Sequence, residues 1–152
     1  DYKNDISFLI DSTLNLYEHQ STWNPNMPLR GLGYFARLYE DYVRLNELNI
    51  YPLLFLPLVE NAFKYVGGDY QLDIIMKWEN NRISLFIRNS IPELSAEDEA
   101  LRKSVDERQR KGIGLVNLRR RLSLLYPNKH RLETRKEETE FVAELMIEIE
   151  DI

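Results

Sequence analysis

Glu60, Asn61, Lys64 and Tyr65 sit close together inside the apolar stretch from Pro52 to Val66. On a helix, at roughly 100° per residue, these four fall in one arc of roughly 140°. Phe55, Leu56, Leu58, Val59, Ala62, Phe63 and Val66 occupy the rest of the circumference. Such a helix is buried on most sides and opens a single polar window. The window holds a carboxylate, an amide, an ammonium and a phenol. An amide oxygen can ligate a hard cation. A lysine meets a phosphate as a point charge. A tyrosine can hydrogen-bond or stack on a base. This chemistry suits a ligand with phosphates, a metal and a ring. The alternative is an amphipathic helix whose polar side faces water.

A second stretch runs Lys111-Gly112-Ile113-Gly114-Leu115-Val116-Asn117-Leu118-Arg119-Arg120-Arg121-Leu122. It has the pattern of a glycine-rich turn opening a helix. Free N–H groups at a helix start, with little side-chain bulk beside them, form an anion site. Alone, Gly-x-Gly indicates only a tight turn. The two stretches together, about fifty residues apart, resemble the N-box and G2 box of the GHKL ATPase superfamily. More closely, Leu56-Pro57-Leu58-Val59-Glu60-Asn61-Ala62-Phe63-Lys64, followed by Gly112-Ile113-Gly114-Leu115 and Asn117-Leu118, is similar to the LytS/YehU-type sensor histidine kinases. The resemblance extends over residues 6 to 149.

Composition sets the bounds. With 152 residues the chain is long enough for a substantial core. Hydrophobic residues make up 43% and charged residues 30%, which suits a soluble globular protein. A formal net charge of −5 does not favour nucleic acid. There is no cysteine, which excludes disulfides, thiolate catalysis and cysteine-ligated metals. Two histidines, His19 and His130, exclude a histidine-rich metal site. No apolar run reaches the roughly 20 residues that span a bilayer. No signal pattern is evident, so a cytoplasmic fragment without direct membrane contact is expected.

The elements that must position the two stretches follow from periodicity. Residues 5 to 20 carry a helical stripe of Ile6, Leu9, Ile10, Thr13, Leu14 and Tyr17. Pro25, Pro28, Gly31 and Gly33 punctuate the stretch from Gln20 to Gly33. A helix over 34 to 48 is predicted to bury Phe35, Leu38, Tyr39, Tyr42, Leu45 and Leu48. Between Asn49 and Pro52 there is no room for the strand pair that the related kinases carry there. Beyond Gly67-Gly68 the period becomes two, through Leu72, Ile74, Met76 and Trp78, then Ile83, Leu85 and Ile87. With a turn over Glu79 to Arg82 this is a hairpin. Residues 93 to 111 are strongly charged. A helix over Ile113 to Tyr126, with Leu115, Leu118, Leu122 and Leu125 inward, leads to a second hairpin ending in Phe141, Ala143, Leu145, Ile147 and Ile149. Arg119-Arg120-Arg121 is expected to be solvated surface.

This order predicts an α+β fold, a two-layer α/β sandwich with a mixed, mostly antiparallel sheet and helices on one face. Residues 1–48 would be a helical segment and 49–152 the ligand-binding domain, packed as one unit. The resemblance implies the Bergerat ATP-binding fold, with ATP and Mg2+ as ligands. Asn61 matches the magnesium-ligating asparagine, Lys64 a basic residue near the phosphates, and Tyr65 a neighbour of the base or ribose. Gly112, Ile113, Gly114 and Leu115 match the phosphate-cradling turn. Asn89 stands where the family has an aspartate that binds the adenine amino group. The family glycines beyond it are replaced by Ile91 and Glu93. Taken without the family, Asn89 is a turn residue ending a strand. The charged stretch 93 to 111 matches the ATP lid. Glu60, the only carboxylate of the window, could orient an incoming histidine or polarise a water.

The function implied is the ATP-binding catalytic domain of a two-component sensor histidine kinase, passing the γ-phosphate to a histidine on a separate upstream helix. Neither His19 nor His130 lies in a phosphoacceptor motif. The partners implied are a second kinase subunit and a LytTR-type response regulator. The parent protein would be an inner-membrane sensor. Two alternatives stand beside this. A GHKL ATPase of the gyrase or chaperone kind would carry a general-base glutamate one turn before Asn61, where this chain has Pro57. A degenerate interaction module would have lost nucleotide binding.

Overall fold

The computed structural model describes residues 6–10, 13–19, 27–51, 54–93, 95, 97, 100 and 113–149. Six strands and three helices are described. In chain order they are β1 (Ile6–Ile10), β2 (Thr13–His19), α1 (Met27–Leu45), α2 (Leu56–Tyr65), β3 (Gln71–Glu79), β4 (Arg82–Ser90), α3 (Ile113–Leu125), β5 (His130–Lys136) and β6 (Glu140–Glu148). The strands form one sheet in the order β1-β2-β3-β4-β6-β5. The helices cover one face, with α2 central, touching α1, α3, β3 and β4. The architecture is the expected α+β two-layer sandwich.

Period-two burial builds the sheet. Leu72, Ile74 and Met76 of β3, Ile83, Leu85 and Ile87 of β4, and Ala143, Leu145 and Ile147 of β6 are buried on the helix-covered face. They pair across the strands, Met76 with Leu85 and Leu85 with Leu145. Phe35, Tyr39 and Tyr42 of α1, Leu58, Val59, Ala62 and Phe63 of α2, and Leu118 and Leu122 of α3 close the core from above. The opposite face carries cross-strand ion pairs, among them Arg88 with Asp73, Arg82 with Glu148 at 2.8 Å and Arg135 with Glu144 at 3.4 Å. The β3–β4 turn uses Asn80 and Asn81, with φ of 52° and 58°. Positive φ at both central residues matches the right-handed twist of the flanking strands, and asparagine tolerates it.

The helix expected over residues 5 to 20 is instead the β1–β2 hairpin. The same residues carry both periods: Ile6, Phe8 and Ile10 alternate, as do Leu14 and Leu16. Tertiary pairing decides between them, because β3 would otherwise present an open edge of backbone donors and acceptors. β2 fills it over seven residue pairs, from Thr13↔Lys77 to His19↔Gln71. The sheet edge for which the chain has no strand between Asn49 and Pro52 is thus supplied from upstream of α1.

Every described strand pair is antiparallel, so the expected parallel component is absent among the described strands. A single crossover helix between neighbouring strands brings the chain back in the same direction. Here two helices, α1 and α2, join β2 to β3, and the second reverses the first. The chain therefore re-enters the sheet running the opposite way.

Helix α1 also begins earlier than predicted, at Met27. Pro28 is accommodated in its first turn, where a missing N–H costs nothing. Gly31 lies inside the helix because Phe63 of α2 occupies the space a side chain would need. At the other end Leu45, expected in the core, is exposed, while Leu48 and Ile50 beyond the helix are buried.

Candidate nucleotide site

Helix α2 starts at Leu56, with Pro57 in its first turn and Phe55 as the N-cap residue. The backbone N–H groups of Leu58 and Val59 donate to the Phe55 carbonyl at 3.1 and 3.2 Å. Leu58, Val59, Ala62 and Phe63 are buried, Glu60 and Lys64 are exposed, and Asn61 and Tyr65 are half-buried. The polar window expected from the sequence is therefore present, and it divides in two. Phe63 faces α1 through Gly31. Asn61 lies roughly 160° around the helix from Phe63. Since α2 is flanked by α1 on one side and α3 on the other, Asn61 and Tyr65 stand on the α3 side. Glu60 and Lys64 form the outer rim. The Lys64 ammonium lies 5.4 Å from the centroid of the Tyr65 ring, a cation–π contact at the end of the helix.

The floor of the site is β4. Asn89 continues the inward row of Ile83, Leu85 and Ile87 and is 1% exposed. It is an interior strand residue, paired with Leu72 and Phe141, and not the turn residue that its type suggests. Its Nδ2 donates to the Ser90 carbonyl at 3.2 Å. Its Oδ1 is buried and has no partner among the described residues. A buried amide oxygen left without a donor costs about 1–3 kcal/mol.

Local packing fixes where Asn89 stands. Gly67 N–H donates to the Ser90 carbonyl at 2.9 Å, Ser90 Oγ donates to the Gly67 carbonyl at 2.6 Å, and Gln71 N–H donates to Ser90 Oγ at 2.8 Å. One serine thus ties the end of β4 to the connection leaving α2. Ile91, itself buried, donates its N–H to the Thr139 carbonyl at 2.8 Å. A Cβ at Gly67 would come within 2.7 Å of Pro92 Cδ. The glycines that permit close approach are therefore Gly67 and Gly68, in the connection leaving α2, against Ile91 and Pro92. Sequence reasoning missed Ser90 and Gly67. The pairing of a glycine after one helix with an Ile-Pro beyond a strand was their only signal.

Helix α3 completes the site by its direction. Its last turn leads to Tyr126, whose ring stands edge-on to Tyr51 at 6.1 Å, beside the start of α2. Tyr51 N–H points to the Tyr126 hydroxyl at 3.3 Å. The beginning of α3 therefore lies at the end of α2, together with Tyr65 and Asn89. Gly114 is exposed, with open space where a side chain would be, and Leu115 packs against the core. Gly112, the Ile113 side chain and nearly all of the charged stretch 93 to 111 lie outside the described residues. Arg119 donates to the Leu132 carbonyl at 3.1 Å and holds α3 to β5.

His130 opens β5 at the opposite end of the sandwich. Its Nδ1 lies 2.7 Å from the Tyr126 carbonyl, so that nitrogen carries the proton and donates. That end also carries an open cleft of about 480 Å³ between Tyr51, Tyr126, Lys129 and Glu148. His19 is the last residue of β2, paired with Gln71. Among the described residues no three His, Cys, Asp or Glu side chains cluster to hold a metal. No helix there is long and apolar enough to cross a membrane. The arrangement offers a floor with one unpartnered acceptor, a wall with an amide and a phenol, a rim with one carboxylate and one ammonium, and a helix start. Compared with known proteins, the chain matches no family model, no curated protein and no solved structure.

Proposed function

We propose that this chain is the ATP-binding catalytic domain of a two-component sensor histidine kinase, donating the γ-phosphate to a histidine on a separate helix. The observation that carries the reading is the buried, unpartnered Oδ1 of Asn89 at the end of an otherwise apolar row. An acceptor kept dry at the floor of a site fits the exocyclic amino group of adenine. Tyr65 then lies beside the base or ribose. The start of α3 at Gly114 offers backbone N–H groups to the phosphates. Lys64 at the rim supplies positive charge to them.

The Asn61 carboxamide oxygen, half-buried on the α3 side, is the group that would hold magnesium. Magnesium keeps several of its waters and takes few protein ligands, so one amide oxygen beside the phosphates would suffice to hold it. Magnesium supplies charge neutralisation on the phosphate oxygens when bound. Glu60, exposed beside Asn61, is free to orient the incoming imidazole. The remaining contribution of the protein is positioning, the main requirement of phosphoryl transfer. The parent protein in this reading is a membrane sensor that acts as a dimer with a LytTR-type response regulator.

The test is calorimetric titration of the chain with a non-hydrolysable ATP analogue, with and without magnesium, repeated on Asn61→Ala. Magnesium-dependent binding that disappears in the variant supports the assignment. No binding at millimolar nucleotide would overturn it in favour of an interaction module.

A further inference from the structure

We infer that the solvent face of α3 is a docking surface for an acidic, amphipathic helix of a partner protein. Val116 and Leu124 are the two most exposed large hydrophobic residues described, at 65% and 73%. They are not scattered. With Arg120 they form one i, i+4, i+8 stripe, opposite the buried Leu118 and Leu122. The two apolar side chains stand about 12 Å apart along the axis, two turns, the spacing at which a second helix presents residues of one face. Single exposed apolar residues are ordinary. Two in register on one helix, with a cation between them, form a patterned surface.

The charge on this face specifies the partner. Arg82, Arg88, Arg131 and Arg135 each pair with a carboxylate. Arg120 and Arg121 have no acceptor among the described residues, and both are exposed. From Ile113 to Leu125 the helix contains no aspartate or glutamate. The chain as a whole has a net charge of −5, so this strip is cationic against the sign of the rest. A partner with carboxylates flanking an apolar ridge satisfies both features at once. Nucleic acid is less well matched. Two guanidinium groups flanked by aliphatic side chains offer few phosphate contacts, and the net charge repels a polyanion. The surface lies on the outer side of α3 and does not involve Asn61, Tyr65 or Asn89, so the inference stands apart from the nucleotide reading.

The test uses the whole chain and a synthetic amphipathic helix of about four turns, with leucines along one face and glutamates flanking them. Backbone amide shifts are followed by NMR on titration. Shifts should centre on Val116 to Leu124, with binding that weakens as salt is raised. A lysine-for-glutamate version of the peptide should not bind. The double variant Arg120→Glu, Arg121→Glu should lower affinity about tenfold or more, and Val116→Ser with Leu124→Ser by a similar factor, since both contacts are needed. All four positions are exposed, and unchanged melting of the variants confirms that they fold. Failure of the acidic peptide to bind overturns the inference. So does equal binding of the lysine peptide, or tighter binding of duplex DNA or of phosphatidylserine vesicles through the same arginines.

Discussion

Replacing Asn89 by leucine should stabilise the protein and abolish its response to nucleotide. Asn89 is 1% exposed, and its Oδ1 has no donor among the described residues. Removing that orphan acceptor recovers about 1–3 kcal/mol. The variant loses the Nδ2 hydrogen bond to the Ser90 carbonyl, at 3.2 Å a long one, worth about 1 kcal/mol or less. Burying a leucine in an apolar row adds about 1–2 kcal/mol, offset by up to about 1.5 kcal/mol if its extra volume crowds the site. The balance is a gain of about 1–2 kcal/mol, or about 3–7 °C in Tm for a chain of this size. Nucleotide at about a hundred times its Kd should stabilise the unmodified chain by about 2.7 kcal/mol. Differential scanning fluorimetry with and without magnesium–ATP reads both effects. Asn89→Leu should melt higher than the parent without ligand and show no ligand shift. A variant that melts lower would mean the amide is satisfied and structural. A variant that melts higher yet still responds fully to ATP would remove Asn89 from the binding site.

Two neighbouring glycines of α1 should respond to alanine with opposite signs. Gly31→Ala forces a methyl into the buried ring of Phe63 and should destabilise by about 1–3 kcal/mol in urea unfolding, whereas Gly33→Ala, with open space around it, should stabilise by about 0.5–1 kcal/mol. Stability should also fall at alkaline pH. Burial pushes the Tyr39 hydroxyl up to about 12 and raises Tyr42 and Tyr126 as well. These groups ionise near 10 in the unfolded chain, so their contribution is complete below pH 10 and is lost as pH rises through 12. Urea midpoints that stay flat from pH 9 to 11.5 would contradict this. Asn80→Gly should leave the β3–β4 hairpin intact and change stability by less than about 1 kcal/mol, because positive φ is the demand of the turn at that position. A loss larger than that would show that the Asn80 side chain itself holds the turn.

How much of this was legible in the residues depends on whether one local pattern had a single solution. In β3, β4 and β6 every second residue is buried under the helices, so period two is legible, although Ile75, Phe86 and Met146 stand half-buried on the other face and Val142 is buried there. The polar window of α2 was equally plain, because four polar side chains share one arc of an apolar helix. The β1–β2 hairpin was not legible. Ile6 to Tyr17 supports a helical stripe and a strand alternation equally well, and only the open edge of β3 selects the strand. Nor could the start of α1 be read. Gly31 looks like a breaker until Phe63 is seen filling the space beside it. The direction of β2 relative to β3 likewise depends on counting two helices between them rather than one.

The two buried polar atoms without partners among the described residues, Tyr39 Oη and Asn89 Oδ1, sharpen the functional argument by their contrast. Tyr39 has a structural reason to be where it is. Its ring stacks on Phe35 at 6.0 Å and meets Phe55 edge-on at 5.8 Å, so the apolar body of the side chain offsets an idle hydroxyl. Asn89 has no such body. It contributes no aromatic contact, caps no helix, and interrupts a row in which leucine or isoleucine would pack better. A residue whose polarity costs stability, and whose shape returns none, is the kind of local exception expected at functional or strained sites. In the proposed nucleotide reading, a ligand at the end of β4, beside the end of α2 and the start of α3, repays that cost.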